Sequence, residues 1–421
     1  MLPAGLSFES LLILPLTLIA FLILLTVIVF IHEYGHFSVA RMLGVRVEVF
    51  SIGFGKTLAR WVDKKGTEWR IALLPLGGYV KFFGDMNPAS QASSEVSEPQ
   101  AAPVTTQFPK PGDEEETAAR MTPEERAVCF HFKPVWARAL IVAAGPVFNF
   151  ILAVVIFTSL FMTLGRDNLA PIVGVVSPES AALEAGFKPG DTILTVDGRR
   201  IEKFNQLYDL VLLSGGAEMR FEIERGGDTQ SLTVTPRRVE GADRYGNPIE
   251  RWLLGLGPDQ NAVTFQKFGF FEALGEGVHE LWRVLSITVR FMGKIITGQE
   301  DPRQLGGPLK MAQYAGQSVM SGFDESVYAS EPSFWTMLKV SLIDFISLAA
   351  VVSVSIGFLN LLPVPVLDGG HLMYYAYEAI AGQPLGAKAQ AIGFRVGIVM
   401  LASLMIFVTW NDINNLISSL S

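Results

Sequence analysis

Hydrophobic positions in this chain gather into four long runs, separated by stretches with a different rhythm. The first runs uncharged from Leu11 to Ile31 and ends directly in His32-Glu33-Tyr34-Gly35-His36. Ala139 to Leu164 and Phe345 to Leu367 are also uncharged, and a fourth run, about Ala389 to Trp410, is interrupted only by Arg395 near its start. Each is long enough to cross the hydrocarbon core of a bilayer as a helix. Arg395 lies where its side chain can reach the interface. The pattern predicts transmembrane helices over 8–40, 137–165, 338–374 and 388–412. The first run has no basic leader and is too long for the apolar region of a cleaved signal, so it is expected to remain as a span.

Elsewhere the period changes. From Val45 to Phe83 apolar and polar residues alternate as in short strands, with Asp63-Lys64-Lys65-Gly66 as a hairpin turn, predicting a β-loop over 45–86. Gly53-Phe54-Gly55 and Leu76-Gly77-Gly78-Tyr79 within it let backbone approach a neighbour closely. An ordinary hairpin fits this pattern, and so does a sheet edge that pairs with an extended peptide. Residues 87–125 are rich in Ala, Pro, Ser, Thr and acidic groups without apolar periodicity, and are expected to be a disordered linker.

Between 170 and 260, short strands (Pro171–Val176, Thr192–Val196, Met219–Glu224, Gln230–Pro236 and one near Trp252–Leu256) alternate with two short helices, Pro178–Ala185 and Asn205–Ser214. The 265–335 stretch is apolar at helical spacing, but Lys267, Glu272, Glu276, His279, Glu280, Arg283, Arg290 and Lys294 interrupt it. It reads as amphipathic helices, on the membrane surface or against the bundle, rather than a fifth span.

Composition agrees with a membrane protein that has sizeable soluble parts: half the residues are hydrophobic and the mean hydropathy is +0.36. Basic residues orient it. Lys and Arg are absent before Arg41 and after Trp410, whereas Arg41, Arg46, Lys56, Arg60, Arg126, Lys133 and Arg138 flank the segment between the first two spans. By the positive-inside rule that segment is cytoplasmic, both termini are periplasmic, and the long 166–335 segment is outside. A formal charge of −8 with no basic stripe argues against a nucleic-acid binder. Cys129 is the single cysteine, so there is no intramolecular disulfide and no Cys-cluster metal site.

The chemistry sits at the end of the first run. Two histidines four residues apart share a helix face and can bind one Zn²⁺, with the intervening Glu33 placed as general base. A histidine pair merely packed in a bundle is the plain alternative. A catalytic zinc takes three protein ligands, and the Asn360-to-His371 stretch offers the third. Pro363 and Pro365 break the apolar segment there, and Asp368 ends the break at the depth expected for His36. Asp368 is the choice, with His371 and Asp344 as rivals; a helix cap is its structural alternative.

Two resemblances then join these parts. Ser177 to Ile201 (SPESAALEAGFKPGDTILTVDGRRI) closely resembles a bacterial PDZ domain, which binds peptides by strand addition. HEYGH closing a first span, NLLPVPVLDGG (360–370) in a later one, Gly145-Pro146-Val147-Phe148-Asn149 in the second, and an intervening PDZ domain resemble the site-2 protease family, in its bacterial regulator-of-sigma-E branch. The likeness covers nearly the whole chain. It implies a polytopic α-helical membrane protein with a membrane-associated β-loop and one extracytoplasmic PDZ domain. It implies zinc on His32, His36 and Asp368, and Glu33 as base. Asn360 would hold substrate or steady the oxyanion, and Gly53, Phe54, Gly55 and Asn149 would lie among substrate contacts. Implied partners are single-span proteins of the bacterial inner membrane: anti-sigma factors already trimmed outside, and remnant signal peptides. The 166–260 interval has room for one PDZ domain, whereas well-known members carry two in tandem. A non-catalytic scaffold using the PDZ domain to bind extracytoplasmic peptides is the alternative function.

Overall fold

Among the described residues, four helices are long and apolar enough to cross a membrane: Pro15–Met42, Val135–Leu164, Phe334–Asn360 and Lys388–Asn415. They come from a computed structural model that describes residues 8–84, 121–242, 248–324, 328 and 332–420. Most of the expected linker, 87–120, lies outside these residues. Its last residues do not extend it, because Thr122 and Glu125 form a reciprocal capping box that starts helix α2 (Pro123–Val128).

The chain divides into two units, residues 1–153 with 306–413, and 154–305 with 414–421. In the first, α1 (Phe8–Met42) runs without a break through HEYGH. The second span begins helix α3 (Val135–Leu164), which carries Pro146 in its interior. The third, α8 (Phe334–Asn360), stops short of the expected 374. Pro363 and Pro365 lack the N–H groups that would continue it, and the chain restarts as α9 (Asp368–Ala381) after a nonhelical passage. Gly369 and Gly370 make the restart possible: a side chain on either would collide with the carbonyls of Leu361, Leu362 or Val364. The last span lies in α10 (Ala387–Leu420).

The segment read as a β-loop contains two long strands, β1 (Val47–Val62) and β2 (Glu68–Phe82), joined at the predicted turn. The pair curls on itself. Residues 49–52 of β1 pair with 78–81 on one side and with 68–71 on the other, while 57–62 pair back along 68–72. Gly53 and Gly55, at φ +90° and +84°, supply left-handed backbone where β1 bends, and a Cβ on Gly53 would stand 2.8 Å from the Leu74 carbonyl oxygen. The sheet is fastened to α1. Phe50, Val47, Val80 and Phe82 share a core with Phe37, Ala40 and Ile141, and Arg41 donates to both carboxylate oxygens of Asp63 at 2.9 and 2.7 Å.

On the other flank of α1, helix α7 (Pro308–Met320) packs through Ala315, and Gly316 sits against Thr17. The buried Asp412 carboxylate accepts the N–H groups of Gly307 (3.0 Å) and Lys310 (3.0 Å), capping α7.

The second unit holds the 170–260 region. A four-stranded sheet has the order β6-β5-β7-β8, from Arg199–Arg200, Thr192–Val196, Met219–Arg225 and Asp228–Val234. Separate antiparallel pairs join β3 (Arg166–Leu169) to β12 (Val263–Gln266), β4 (Val173–Val176) to β11 (Leu256–Pro258), and β9 (Arg237–Ala242) to β10 (Pro248–Leu253). Helices α4 (Ala181–Glu184) and α5 (Phe204–Leu212) cover the core of Val173, Phe187, Ile193, Phe204, Leu207 and Phe221. The alternation on β7, buried at 219, 221 and 223 and exposed between, is the period-two pattern visible in the sequence. Helix α6 (Phe270–Ile296) is one amphipathic helix that buries Ala273, Gly277 and Val284, and Gly277 allows close approach to Thr158 and Val154 of α3.

Asp191 gives this unit a pH dependence. It is buried in the Lys188–Asp191 turn, and burial alone would raise its pKa. Hydrogen bonds from Arg225 Nε (2.7 Å) and Nη2 (2.8 Å) and from the Lys188 N–H (2.8 Å) outweigh that and hold the carboxyl below its ordinary value. A depressed folded-state pKa stabilises above the unfolded carboxylate value of about 3.9, and that contribution fades as pH falls toward the folded value. We expect Asp191→Asn to lower the melting temperature at neutral pH and to flatten its decline on acidification. Full-length protein in detergent, melted from about pH 7 to pH 3, checks this; an equal slope in wild type and variant would exclude the effect.

Candidate active site

The predicted zinc-binding residues come together. Among the described residues one group of His, Cys, Asp and Glu side chains could hold a metal ion, and it is His32, His36 and Asp368. His32 Nε2 and His36 Nε2 stand 3.2 Å apart, and Asp368 Oδ2 lies 3.1 Å from the first and 3.6 Å from the second. Donor atoms about 2.0–2.2 Å from a common tetrahedral Zn²⁺ would be separated by roughly 3.3–3.6 Å. Asp368 Oδ2 is buried and lacks a hydrogen bond despite its two nitrogen neighbours. Three lone-pair atoms crowded together in this way fit a cation. The rivals lie elsewhere: Asp344 is buried within α8, and the His371 ring meets Tyr374 edge-on.

Each donor is placed by a local feature of the sequence. The i, i+4 spacing puts both imidazoles on one face of α1. His36 Nδ1 donates to the Ile141 carbonyl at 2.9 Å, which turns its Nε2 lone pair toward the cluster. Pro146 removes the N–H that would bond the Val142 carbonyl and loosens this turn of α3. Asp368 is the first residue of α9, fixed by the proline break before it and the two glycines after it.

Helices α1 and α3 cross closely at this level. A Cβ on Gly35 would stand 2.9 Å from the Ala144 carbonyl carbon, and one on Gly145 would stand 2.6 Å from His36 Cε1 and 2.8 Å from His32 Cε1. Gly145 belongs to a motif singled out in the sequence, but nothing in one sequence says that its missing side chain is the space the imidazoles fill.

The strand segment beside Glu33 is 76–81. A Cβ on Gly78 would stand 3.1 Å from Glu33 Cγ and 2.8 Å from the Ser51 carbonyl oxygen. Phe54 stacks on Tyr79 at 6.1 Å, and its ring covers Gly77, so it meets the sheet rather than the donor cluster. Asn360 is half-buried at the end of α8. Asn149 is fully buried behind His32, its Nδ2 3.2 Å from His32 Nδ1. We expect Gly78→Val to displace the Glu33 side chain and lower cleavage by about 10²-fold while zinc content stays at the wild-type level. Zinc lost together with activity would show that residue 78 supports the donors instead.

Comparison with known proteins identifies the family. The model for peptidase family M50 matches residues 20–404. A protein of Agrobacterium fabrum named "Putative zinc metalloprotease" is 41% identical over 402 residues, covering 95% of this chain and 96% of its own length. A Rhizobium meliloti protein of the same name is 40% identical over 94% of this chain and 96% of its own. Metalloprotease MmpA of Caulobacter vibrioides is 39% identical over 94% and 95%. With these matches, four apolar helices and a donor set that fits zinc, the chain belongs to peptidase family M50 and is a multi-pass membrane zinc metalloprotease.

Proposed function

We propose that this protein is an intramembrane zinc endopeptidase that cleaves the transmembrane segments of single-span proteins. The observation that carries the reading is the convergence of Asp368, at the start of α9, on His32 and His36, which lie with Glu33 in a helix apolar enough to span the bilayer. His32, His36 and Asp368 hold the zinc. When bound, zinc supplies Lewis-acid polarisation of the scissile carbonyl and lowers the pKa of water at the site. Glu33 takes the proton of the attacking water and returns it to the leaving amine. Asn360, at the end of α8, donates to the substrate carbonyl region.

A transmembrane substrate must first unwind, because its carbonyls are held in helix hydrogen bonds. The 76–81 segment supports a route: it has backbone next to Glu33, and an extended substrate would add to the sheet there, with Gly53, Phe54 and Gly55 shaping the bend behind it. The 170–260 region is an extracytoplasmic PDZ domain in this reading. Strand β11 pairs with β4 alone among the described strands, and its Leu256 shares a core with Leu207 and Val211 of α5, which leaves an edge for a peptide terminus. The domain favours substrates whose ectodomains have been trimmed, of the anti-sigma-factor type, and remnant signal peptides. The membrane is the bacterial inner membrane, with both termini periplasmic and the active site toward the cytoplasm.

The test is co-expression with a tagged single-span substrate, with and without its ectodomain, comparing wild type and Glu33→Gln. We expect a fragment cut within the span from wild type and the trimmed substrate only. Equal cutting by Glu33→Gln would remove the catalytic assignment. Equal cutting of both substrates would remove the gating role.

A further inference from the structure

Asn149 has a side-chain amide buried on every side, and only one end of it is partnered. Nδ2 lies 3.2 Å from His32 Nδ1, whereas Oδ1 is buried without a hydrogen bond. The backbone of the same residue is held in place, since the fully buried Ser353 on α8 donates to its carbonyl at 2.9 Å.

The two ring nitrogens of a neutral histidine cannot both carry the proton. His36 is settled by its bond to the Ile141 carbonyl, an acceptor only, so its Nδ1 is protonated and its Nε2 carries the lone pair. Among the described residues, no carbonyl holds His32 in this way. Its Nε2 stands 3.1 Å from Asp368 Oδ2 and 3.2 Å from His36 Nε2, and it can bind zinc only if the proton sits on Nδ1. The group beside Nδ1 is the Asn149 amide. With nitrogen toward the ring, the amide donates to Nδ1 and drives the proton to Nε2, the wrong position. Turned by 180°, it presents Oδ1 as acceptor and puts the lone pair on Nε2. Either orientation partners one end of the amide, so the bound metal decides between them.

We propose that Asn149 is a positioning residue of the metal centre, whose side-chain oxygen accepts the Nδ1–H of His32 and fixes the tautomer that faces the zinc. This rests on the reading of His32 as a zinc ligand. It gives Asn149 a place behind the ligand, distinct from the substrate contact that the family resemblance implies.

Zinc competition against a chromophoric chelator tests it, using the full chain in detergent as wild type, Asn149→Ala, Asn149→Asp and His32→Ala. We expect Asn149→Ala to bind zinc about 10- to 100-fold more weakly, the range for losing such an outer partner. Asn149→Asp keeps an acceptor and is expected to hold zinc as tightly as wild type or more tightly, and His32→Ala to lose it. A substrate contact or a purely structural role would not give rescue by Asp. Wild-type affinity in Asn149→Ala, or affinity in Asn149→Asp as weak as in the alanine variant, overturns the inference while leaving His32 a ligand. Full zinc binding by His32→Ala overturns the ligand reading instead. If Asn149→Ala does not fold, Asn149→Leu, which fills the same space without an acceptor, takes its place with the same expected loss.

Discussion

Replacing Gly145 with alanine is expected to empty the metal centre of zinc and to reduce cleavage by about 10²-fold or more, the usual effect of moving a catalytic group by roughly 1 Å. The added methyl would lie 2.6 Å from His36 Cε1 and 2.8 Å from His32 Cε1, well inside van der Waals contact. It has no free direction. The ring of His36 is tethered to the Ile141 carbonyl, one helical turn before Gly145, and Gly35 already lies against the Ala144 backbone. Either the imidazoles tilt or α1 and α3 separate, and both break the donor triangle with Asp368. Zinc analysis alongside a cleavage assay checks this. An alanine variant with a full complement of zinc and wild-type activity would mean that the crossing yields without disturbing the rings. Gly78→Val gives the contrast, because its side chain reaches Glu33 and should spare the zinc.

Arg138→Met is expected to destabilise the protein by about 3–5 kcal/mol, the range for breaking one side of a buried ion pair. Arg138 Nη2 donates to Glu378 Oε1 at 2.6 Å, with 10% and 15% of the two side chains exposed. Its Nε donates to the Lys133 carbonyl at 3.1 Å, and its guanidinium lies 5.0 Å from the Tyr375 ring centroid. The pair joins the start of α3 to the far part of α9, the helix that begins with Asp368. Losing Arg138 leaves a carboxylate with little water and loosens the helix that carries the third donor. Thermal unfolding in detergent should therefore fall together with zinc retention. Arg138→Met combined with Glu378→Leu should recover much of the stability, since an apolar pair carries no unpaired charge. A double variant as unstable as the sum of the single ones would show that the two residues act independently.

Periodicity in the chain was enough to locate most of the elements. Four apolar runs marked the four spans, alternation marked β1, β2 and β7, and Asp63 to Gly66 marked the hairpin turn. The i, i+4 histidines needed only helix geometry to become a pair, and the prolines at 363 and 365 announced a break before Asp368. The apolar run overstates the third helix, which ends at Asn360, because such a run measures burial in lipid and not the continuity of hydrogen bonds. Composition also places the end of the linker too late, because it conceals the four-residue capping box at Thr122 to Glu125.

What one sequence determines here is local. It sets which segments are apolar, where backbone hydrogen bonds must fail, and which side chains share a helix face. What only the tertiary structure decided is which distant residues meet: Gly145 beneath two imidazoles, Gly78 against Glu33, Asn149 behind His32 and Arg138 on Glu378. These partners are 45 to 240 residues apart. Their meeting depends on helix crossings and on a sheet that curls back on itself. Those follow from side-chain packing summed over whole elements, which no short window of sequence contains.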